Sequence, residues 1–424
     1  MSRPRLMRSE FARNVAVLLT GTTIAQGISV AFAPVMTRLF SPKEYGLLAL
    51  FISITGILGV AATGQYSLAI IQAESEEDAS NVLFLCFSIA VALSLLVLLL
   101  VGIFGGLFAL WLRSPPLSIW LYWLPMAVLL SGYSSSVTCW LNRHKSFKGI
   151  AIVQIIVSAA TIGVQLFFGA RHSFQGGLIA SYLIASAINS GVLAWRFRRE
   201  PNAPIVPTSL DGMKTQARKH FKFPRYSLPT EFLNVTTNQV PVMVLNALVG
   251  TAALGHYNLT QRILGLPSGL IAGAITNVFR QRASADYVKY GNCRDIYIKT
   301  FKSLLFVSLP IFVLMFFFAP PLFVVVFGEK WREAGDYTRA LSVVYFLGFI
   351  SSPLSYVYYI AGMQKEDLAL HFYMILSTVL SIYLGFRGFG TTLGVIWCFS
   401  LNYAAIYAFY LVRSFQLSKG VGLK

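Results

Sequence analysis

The sequence predicts an all-α membrane protein in which about twelve transmembrane helices form two six-helix bundles. The chain is 56% hydrophobic, and only 12% of its 424 residues are charged, which is about half the charge of a soluble domain. The charges also bound apolar runs of about 20 residues or more, the length that crosses a bilayer. These runs lack the alternation of barrel strands, so helices are expected.

Ten charge-free runs lie along the chain. They are 14–37, 45–73, 79–112, 114–142, 149–170, 172–195, 303–328, 340–364, 368–386 and 388–412. Two further apolar stretches, about 226–249 and 252–279, carry one charge each, Glu231 and Arg262. Basic residues before the first run indicate a retained first helix rather than a cleaved signal peptide.

The distribution of Lys and Arg predicts that both termini are cytoplasmic. With that orientation 25 of these residues lie inside and 8 outside, and Arg262 lies within the membrane. The same bias explains the net charge of +18, so no nucleic-acid partner is expected. The basic interruption 196–225 predicts three parts: an N-terminal bundle over 1–197, a cytoplasmic linker over 198–222 and a C-terminal bundle over 223–424.

The two halves show a weak sequence repeat. Gly46, Leu50 and Gly56 are matched 209 residues later by Gly255, Leu259 and Gly265. With six helices in each half, both halves enter the membrane from the same side, so the repeat is parallel. Between the second and third helices, the acidic segment 73–80 is expected to be a solvated turn in which Asp78 or Ser80 caps the third helix.

Arg262 is the main candidate for substrate binding, because an intramembrane charge is costly and usually functional. It lies roughly 15 Å into the eighth segment. In a water-filled cavity its guanidinium would bind a phosphate or an acidic sugar in a bidentate way. The alternative is an interhelical salt bridge or a set of hydrogen bonds to backbone carbonyls. Ser53 occupies the repeat position of Arg262, so such a cavity would be cationic on one side only.

A polar stripe is predicted on the seventh helix, where Glu231, Asn234 and Asn238 share a face. The two amides are candidate substrate-binding residues. A buried Glu231 carboxylate could bind a coupling H⁺ or Na⁺. It could equally pair with Arg225 near the interface, and a pair with Arg262 is a further alternative.

Gln26 and Gln65, on the first and second helices, are further substrate-binding candidates, although such residues more often connect helices. Together these residues predict that the first, second, seventh and eighth helices line a central cavity. The motifs of metalloproteases and ATPases are absent from the sequence, and its four cysteines have no metal-site spacing. We therefore expect that the protein is not an enzyme and that it binds neither a metal ion nor a cofactor.

Three stretches resemble the polysaccharide-transport branch of the bacterial flippase superfamily, which also contains the multidrug MATE exporters. APVMTRLFSPKEYGLLALFISI (33–54) is similar to the connection between the first two helices of Wzx-type O-antigen flippases. WLNRHKSFKGIA (140–151) is similar to their link between helices four and five, and FGEKWREAGDYTRAL (327–341) to their outer loop between helices nine and ten. The chain departs from the family at 64–70, where Gln65 replaces a charge that relatives often carry.

The resemblance implies a MATE-like parallel repeat and a role in O-antigen or similar lipopolysaccharide biosynthesis at the bacterial inner membrane. The implied activity is flipping of an undecaprenyl-pyrophosphate-linked oligosaccharide from the cytoplasmic to the periplasmic leaflet by alternating access. Expected partners are this lipid-linked oligosaccharide, membrane lipids, H⁺ or Na⁺, and the polysaccharide polymerase and chain-length regulator. One alternative is a MATE-like ion-coupled small-molecule exporter. Another is a membrane polymerase or ligase, which usually carries a large periplasmic loop.

Overall fold

The computed structural model describes residues 20–171, 176–200 and 206–420, and in these residues the chain forms helices without any strand. Ten of these helices are long and apolar enough to cross a membrane. The predicted all-α membrane class is therefore confirmed. Two of the twelve predicted segments are not among the ten: 14–37, which begins outside the described residues, and 252–279, which is interrupted.

The N-terminal half supplies helices α1 to α6. Helix α1 covers 20–31 and continues as Ala33–Leu39, and the others are α2 (Pro42–Ala61), α3 (Glu76–Trp111), α4 (Leu124–Arg143), α5 (Phe147–Ala170) and α6 (Gly177–Arg198). Short helices, Ser67–Gln72 and Leu117–Leu121, precede α3 and α4. The run 45–73 is divided rather than continuous, because Gly64 and Gln65 have left-handed φ angles of 55° and 61°.

The C-terminal half supplies α7 to α12, after a linker helix at Leu210–Lys219. They are α7 (Leu228–Val249), α8 (Thr251–Pro267, continuing as Gly273–Tyr290), α9 (Arg294–Phe327), α10 (Arg332–Leu354), α11 (Gln364–Phe389) and α12 (Thr392–Ser418). A π-helical turn, Ser268–Ala272, interrupts α8 directly after Pro267. Pro267 has no N–H for the helical ladder, and this explains the interruption.

The chain divides into two compact units. Unit 1 comprises the described residues up to Phe40 and Leu47–Gln239, and unit 2 comprises Ser41–Gly46 and the described residues from Val240. The first residues of α2 therefore belong to unit 2, and the first half of α7 belongs to unit 1. This division differs from the predicted boundaries of the bundles and linker, which stay a prediction.

The two halves repeat the same order of helix packing. In unit 1, α3 packs on α4, α4 on α6, and α5 on α6. In unit 2, α9 packs on α10, α10 on α12, and α11 on α12, so each contact recurs six helices later. The pattern agrees with the internal repeat that the sequence predicts.

Candidate functional site

The polar stripe predicted on α7 is present in unit 1. Asn238 Nδ2 donates a hydrogen bond to the Asn234 carbonyl oxygen at 2.9 Å, and Asn234 Nδ2 lies 3.5 Å from Glu231 Oε2. Both asparagines are exposed and Glu231 is half-buried. An amide exposed within a membrane-spanning helix is costly against hydrocarbon, so this face suits contact with water or a polar ligand. Arg225, the alternative partner of Glu231, lies over the Tyr226 ring.

The two predicted glutamines have different surroundings in unit 1. Gln26 is half-buried on α1, close to a hydrogen bond from Thr22 Oγ1 to Gln154 Oε1 (2.9 Å) that connects α1 with α5. Gln65 lies at the break after α2, where its Nε2 donates to the Val60 carbonyl oxygen at 3.3 Å. The bond satisfies a carbonyl at the end of α2, so Gln65 has a structural role whether or not it also meets a ligand.

Arg262 is half-buried on α8 in unit 2. Its guanidinium is close enough to the Tyr45 hydroxyl to interact with it electrostatically. The neighbouring Gln261 makes different contacts, because successive helix residues point about 100° apart. Its Nε2 donates to the Tyr257 hydroxyl at 2.9 Å. The structure thus groups the three α7 candidates in unit 1 and places Arg262 in unit 2.

Two of the three family-like stretches come together within unit 2. Tyr45, from 33–54, makes an edge-to-face contact with Trp331, from 327–341, with ring centroids 5.1 Å apart. Trp331 is completely buried and also packs against His256 at 5.5 Å. His256 Nε2 in turn lies 3.3 Å from Glu333 Oε2. Sequence reasoning gave His256 no role, because the contact joins residues that are far apart along the chain.

A close backbone contact lies beside these rings, and we call it the glycine crossing (Pro42, Gly46, Thr251 and Gly255). A Cβ on Gly46 would overlap the Thr251 carbonyl oxygen, and a Cβ on Gly255 would overlap the Pro42 carbonyl oxygen. Pro42 and Gly46 precede Thr251 and Gly255 by the same 209 residues as the sequence repeat. The two contacts are therefore equivalent under the repeat, and only glycine fits at either centre.

The third family-like stretch, 140–151, holds the end of α4 to the start of α3. Arg143 Nη2 lies 3.0 Å from Glu76 Oε1, and Arg143 Nη1 donates to the Ala73 carbonyl oxygen at 2.7 Å. His144 Nε2 lies 3.1 Å from Glu76 Oε2. These contacts satisfy the polar groups at two helix ends, so this stretch is structural.

The linker helix is attached to the acidic segment that precedes α3. Lys219 Nζ lies 3.0 Å from Glu74 Oε1. The expectation that Asp78 or Ser80 caps α3 is wrong, because the Ser75 side chain accepts a hydrogen bond from the Asp78 amide at 3.0 Å. Ser75 has the extended backbone of an N-cap residue, and the position of a helix start varies by a few residues in sequence-based reading.

The sequence matches the family described as "Polysaccharide biosynthesis protein" over residues 35–336, a range that overlaps all three family-like stretches. The chain belongs to this family. It is 24% identical to the teichuronic acid biosynthesis protein TuaB of Bacillus subtilis (strain 168), over 62% of this chain and 53% of TuaB. It is 19% identical to the lipopolysaccharide biosynthesis protein WzxC of Escherichia coli (strain K12), over 83% of this chain and 70% of WzxC. The match to TuaB thus spans about half of that protein.

Two solved structures of membrane proteins have the same fold. One is an inward-facing multidrug resistance transporter of the MATE family in the MOP superfamily, with a TM-score of 0.72, 16% identity, and coverage of 96% of this chain and 97% of that chain. Another is the lipid II flippase MurJ in an inward closed conformation, with a TM-score of 0.68, 16% identity, and coverage of 96% and 90%. The predicted MATE-like fold of this multi-pass membrane protein is confirmed.

Proposed function

We propose that the chain flips an undecaprenyl-pyrophosphate-linked oligosaccharide, an O-antigen or similar repeat unit, from the cytoplasmic to the periplasmic leaflet by alternating access. The observation that carries the proposal is the family match over residues 35–336 in a multi-pass membrane protein. TuaB and WzxC are named for the biosynthesis of teichuronic acid and lipopolysaccharide, and MurJ is a lipid II flippase with this fold. These names support a lipid-linked glycan as the transported substrate.

The proposed location is the bacterial inner membrane, with both termini in the cytoplasm. The bundles 1–197 and 223–424, joined by the linker 198–222, are the proposed halves that rearrange during transport. The excess of Lys and Arg in the segments assigned to the inside supports this orientation. The polysaccharide polymerase and the chain-length regulator of the same pathway are the proposed protein partners.

Arg262 is the proposed contact for the pyrophosphate or for an acidic sugar. A guanidinium presents several N–H donors in a plane and binds phosphate oxygens in pairs. Gln26, Gln65, Asn234 and Asn238 are the proposed polar contacts for sugar hydroxyls. The exposure of both asparagines supports this assignment, because an exposed amide in a membrane span needs a polar neighbour.

Glu231 is the proposed site for a coupling H⁺ or Na⁺. It begins the polar stripe and is half-buried, so a change of its charge would alter the solvation of the whole stripe. Substitution by Gln keeps the shape of the side chain and removes the charge. This variant is expected to slow transport when an ion gradient drives it and to leave protein folding unchanged.

The test is surface glycan display in a deletion strain complemented with wild type, Arg262→Ala or Arg262→Lys at equal membrane abundance. We expect loss of display with Ala and partial display with Lys, because Lys keeps the charge and loses the bidentate geometry. Normal surface polysaccharide in the deletion strain would refute the proposed function. Full display with Ala would instead remove Arg262 from the transport path and leave the flippase proposal standing.

A second candidate function is ion-coupled export of small cations, which the MATE fold supports. A cationic substrate needs a carboxylate, and Glu231 is the acidic residue within an apolar run of the sequence. Loss of resistance to cationic drugs in Glu231→Gln, with surface glycan intact, would favour this function over flipping.

A further inference from the structure

Unit 2 contains a cluster of tyrosines on three neighbouring helices, and two of these, α10 and α12, are long and apolar enough to cross a membrane. Tyr257 lies on α8, Tyr345 on α10, and Tyr403 and Tyr407 on α12. Tyr345 is about 20 Å from the first residue of α10, and Tyr407 is about 22 Å from the first residue of α12, at 1.5 Å per residue. Tyrosines of membrane proteins concentrate at the two interfaces, so the position of Tyr345 and Tyr407 near the middle of their helices requires a separate explanation.

One hydrogen bond and several electrostatic contacts connect the polar groups of the cluster. The Tyr257 hydroxyl interacts with those of Tyr345, Tyr403 and Tyr407. It also accepts a hydrogen bond from Gln261 Nε2 at 2.9 Å, and the Gln261 side chain lies close to the Tyr345 hydroxyl. Residues from α8, α10 and α12 thus form one polar network inside unit 2.

The cluster has a buried part and an accessible part. Tyr257 and Tyr403 are buried, with 2% and 6% of their surface exposed, and the Tyr403 hydroxyl accepts a hydrogen bond from Thr378 at 3.0 Å. Tyr345, Tyr407 and Gln261 are half-buried, so part of the surface of each residue stays exposed. The buried tyrosines hold the accessible side chains in place, as a preorganised binding site requires.

The Tyr407 ring is fixed on two sides. Its centroid lies 6.1 Å from that of the Tyr403 ring at an interplanar angle of 74°. On α10, Gly348 lies so close that a Cβ there would be 3.1 Å from the Tyr407 ring. The lack of a side chain at Gly348 lets the ring pack against α10, and this limits the positions that the ring can adopt.

This chemistry fits a neutral sugar better than an ion or a lipid tail. An aromatic ring packs against the apolar C–H face of a pyranose, while phenol and amide groups exchange hydrogen bonds with its hydroxyls. The cluster residues are uncharged, so they offer no counter-ion to a cationic drug or a phosphate. A lipid tail would leave the hydroxyl and amide groups without partners.

We propose that the tyrosine cluster (Tyr257, Gln261, Tyr345, Tyr403 and Tyr407) is a saccharide-binding subsite of unit 2. The inference rests on the proposed flippase function and deepens it, because it adds an uncharged aromatic site in unit 2 to the polar contacts proposed for the sugar hydroxyls. Arg262 keeps its proposed role in binding the pyrophosphate, because its side chain points in a different direction from that of Gln261.

The test compares two probes: the total polyprenyl-linked glycan extracted from the deletion strain, and undecaprenyl pyrophosphate, which carries no sugars. Binding of each probe to the purified full-length protein is measured by native mass spectrometry. The double variant Tyr345→Phe/Tyr407→Phe keeps both rings and removes both hydroxyls. We expect about tenfold weaker binding of the intact glycolipid and unchanged binding of the sugar-free lipid phosphate.

Tyr297→Phe is the matched control. The Tyr297 hydroxyl is also hydrogen-bonded, to Ser414 at 2.8 Å, but it belongs to α9 and lies outside the cluster. We expect this variant to bind both probes as wild type does. Equal weakening of both probes in the double variant would indicate a structural role and overturn the inference, as would unchanged binding of the glycolipid. Normal surface glycan in the deletion strain would instead refute the proposed function itself.

Discussion

The glycine crossing of unit 2 and the polar stripe of α7 in unit 1 place opposite demands on their side chains. At the crossing two backbones touch, so Gly46 and Gly255 have no room for even one added carbon. On the stripe, Asn234 and Asn238 are exposed and have room for a larger side chain. Substitutions at the crossing should therefore act through the added side-chain volume, whereas substitutions on the stripe should act through the loss of polar groups.

The largest effect is expected from Gly255→Leu. The added Cβ would overlap the Pro42 carbonyl oxygen, and a backbone atom cannot rotate away as a side chain can. We expect destabilisation above about 4 kcal/mol, enough to prevent folding. The measurement is the yield of monodisperse protein after detergent extraction, by size-exclusion chromatography.

Gly265→Leu is the control for this change. Gly265 lies on the same helix and occupies the third position of the repeated triplet, but nothing lies within 4 Å of a Cβ built there. We expect a yield close to that of wild type. If Gly255→Leu gave the same high yield as Gly265→Leu, α8 would be shown to shift easily at the crossing. The contrast between the glycine crossing and the polar stripe would then be lost.

The next effect is expected from Trp331→Ala, beside the crossing. Trp331 is fully buried between Tyr45 and His256, so removing the indole leaves a cavity at the cost of about 3 kcal/mol. Thermal unfolding in detergent measures the loss. Trp111→Ala is the control, because Trp111 is 67% exposed and its removal creates no cavity. Similar shifts in both variants would mean that indole burial at position 331 adds little.

The sequence allowed prediction of the membrane class and of most helices, because apolar length depends on local composition alone. It also allowed prediction of the α7 stripe, since helical spacing places Glu231, Asn234 and Asn238 on one face. The crossing was not predictable in the same way. Gly46 and Gly255 signalled a repeat, but their contact depends on the tertiary packing of segments 209 residues apart. The break at Gln65 depends on a left-handed backbone that its residue type does not indicate.

A smaller effect on stability, but a large one on transport, is expected from Asn234→Leu and Asn238→Leu. Both side chains are exposed, so we expect stability to change by less than about 0.5 kcal/mol. Surface glycan display should fall, because the stripe loses its hydrogen-bonding groups. Phe232→Leu, at an exposed apolar position on the same helix, is the control and should leave display unchanged. Normal display in both asparagine variants would exclude the stripe from the transport path.

The smallest effect is expected at His220, directly after the linker helix. Burial is the main cause that lowers the pKa of His220 from its ordinary value of 6.5, and the positive charge of Lys219 adds to the effect. Within the described residues its Nε2 is buried without a hydrogen-bond partner, so no hydrogen bond at this atom stabilises the added proton.

We call the linker docked when its helix is attached to the acidic segment 73–80. The lowered pKa of His220 means that the undocked linker binds a proton more readily than the docked one. The docked state should therefore keep its stability above about pH 6.5 and lose part of it as the pH falls below that value. Hydrogen-exchange protection of Leu210–Lys219, corrected for intrinsic rates, should decrease between about pH 7.5 and 5.5. In His220→Gln this decrease should disappear, since glutamine does not titrate. An equal decrease in both proteins would show that the pH dependence does not arise at His220.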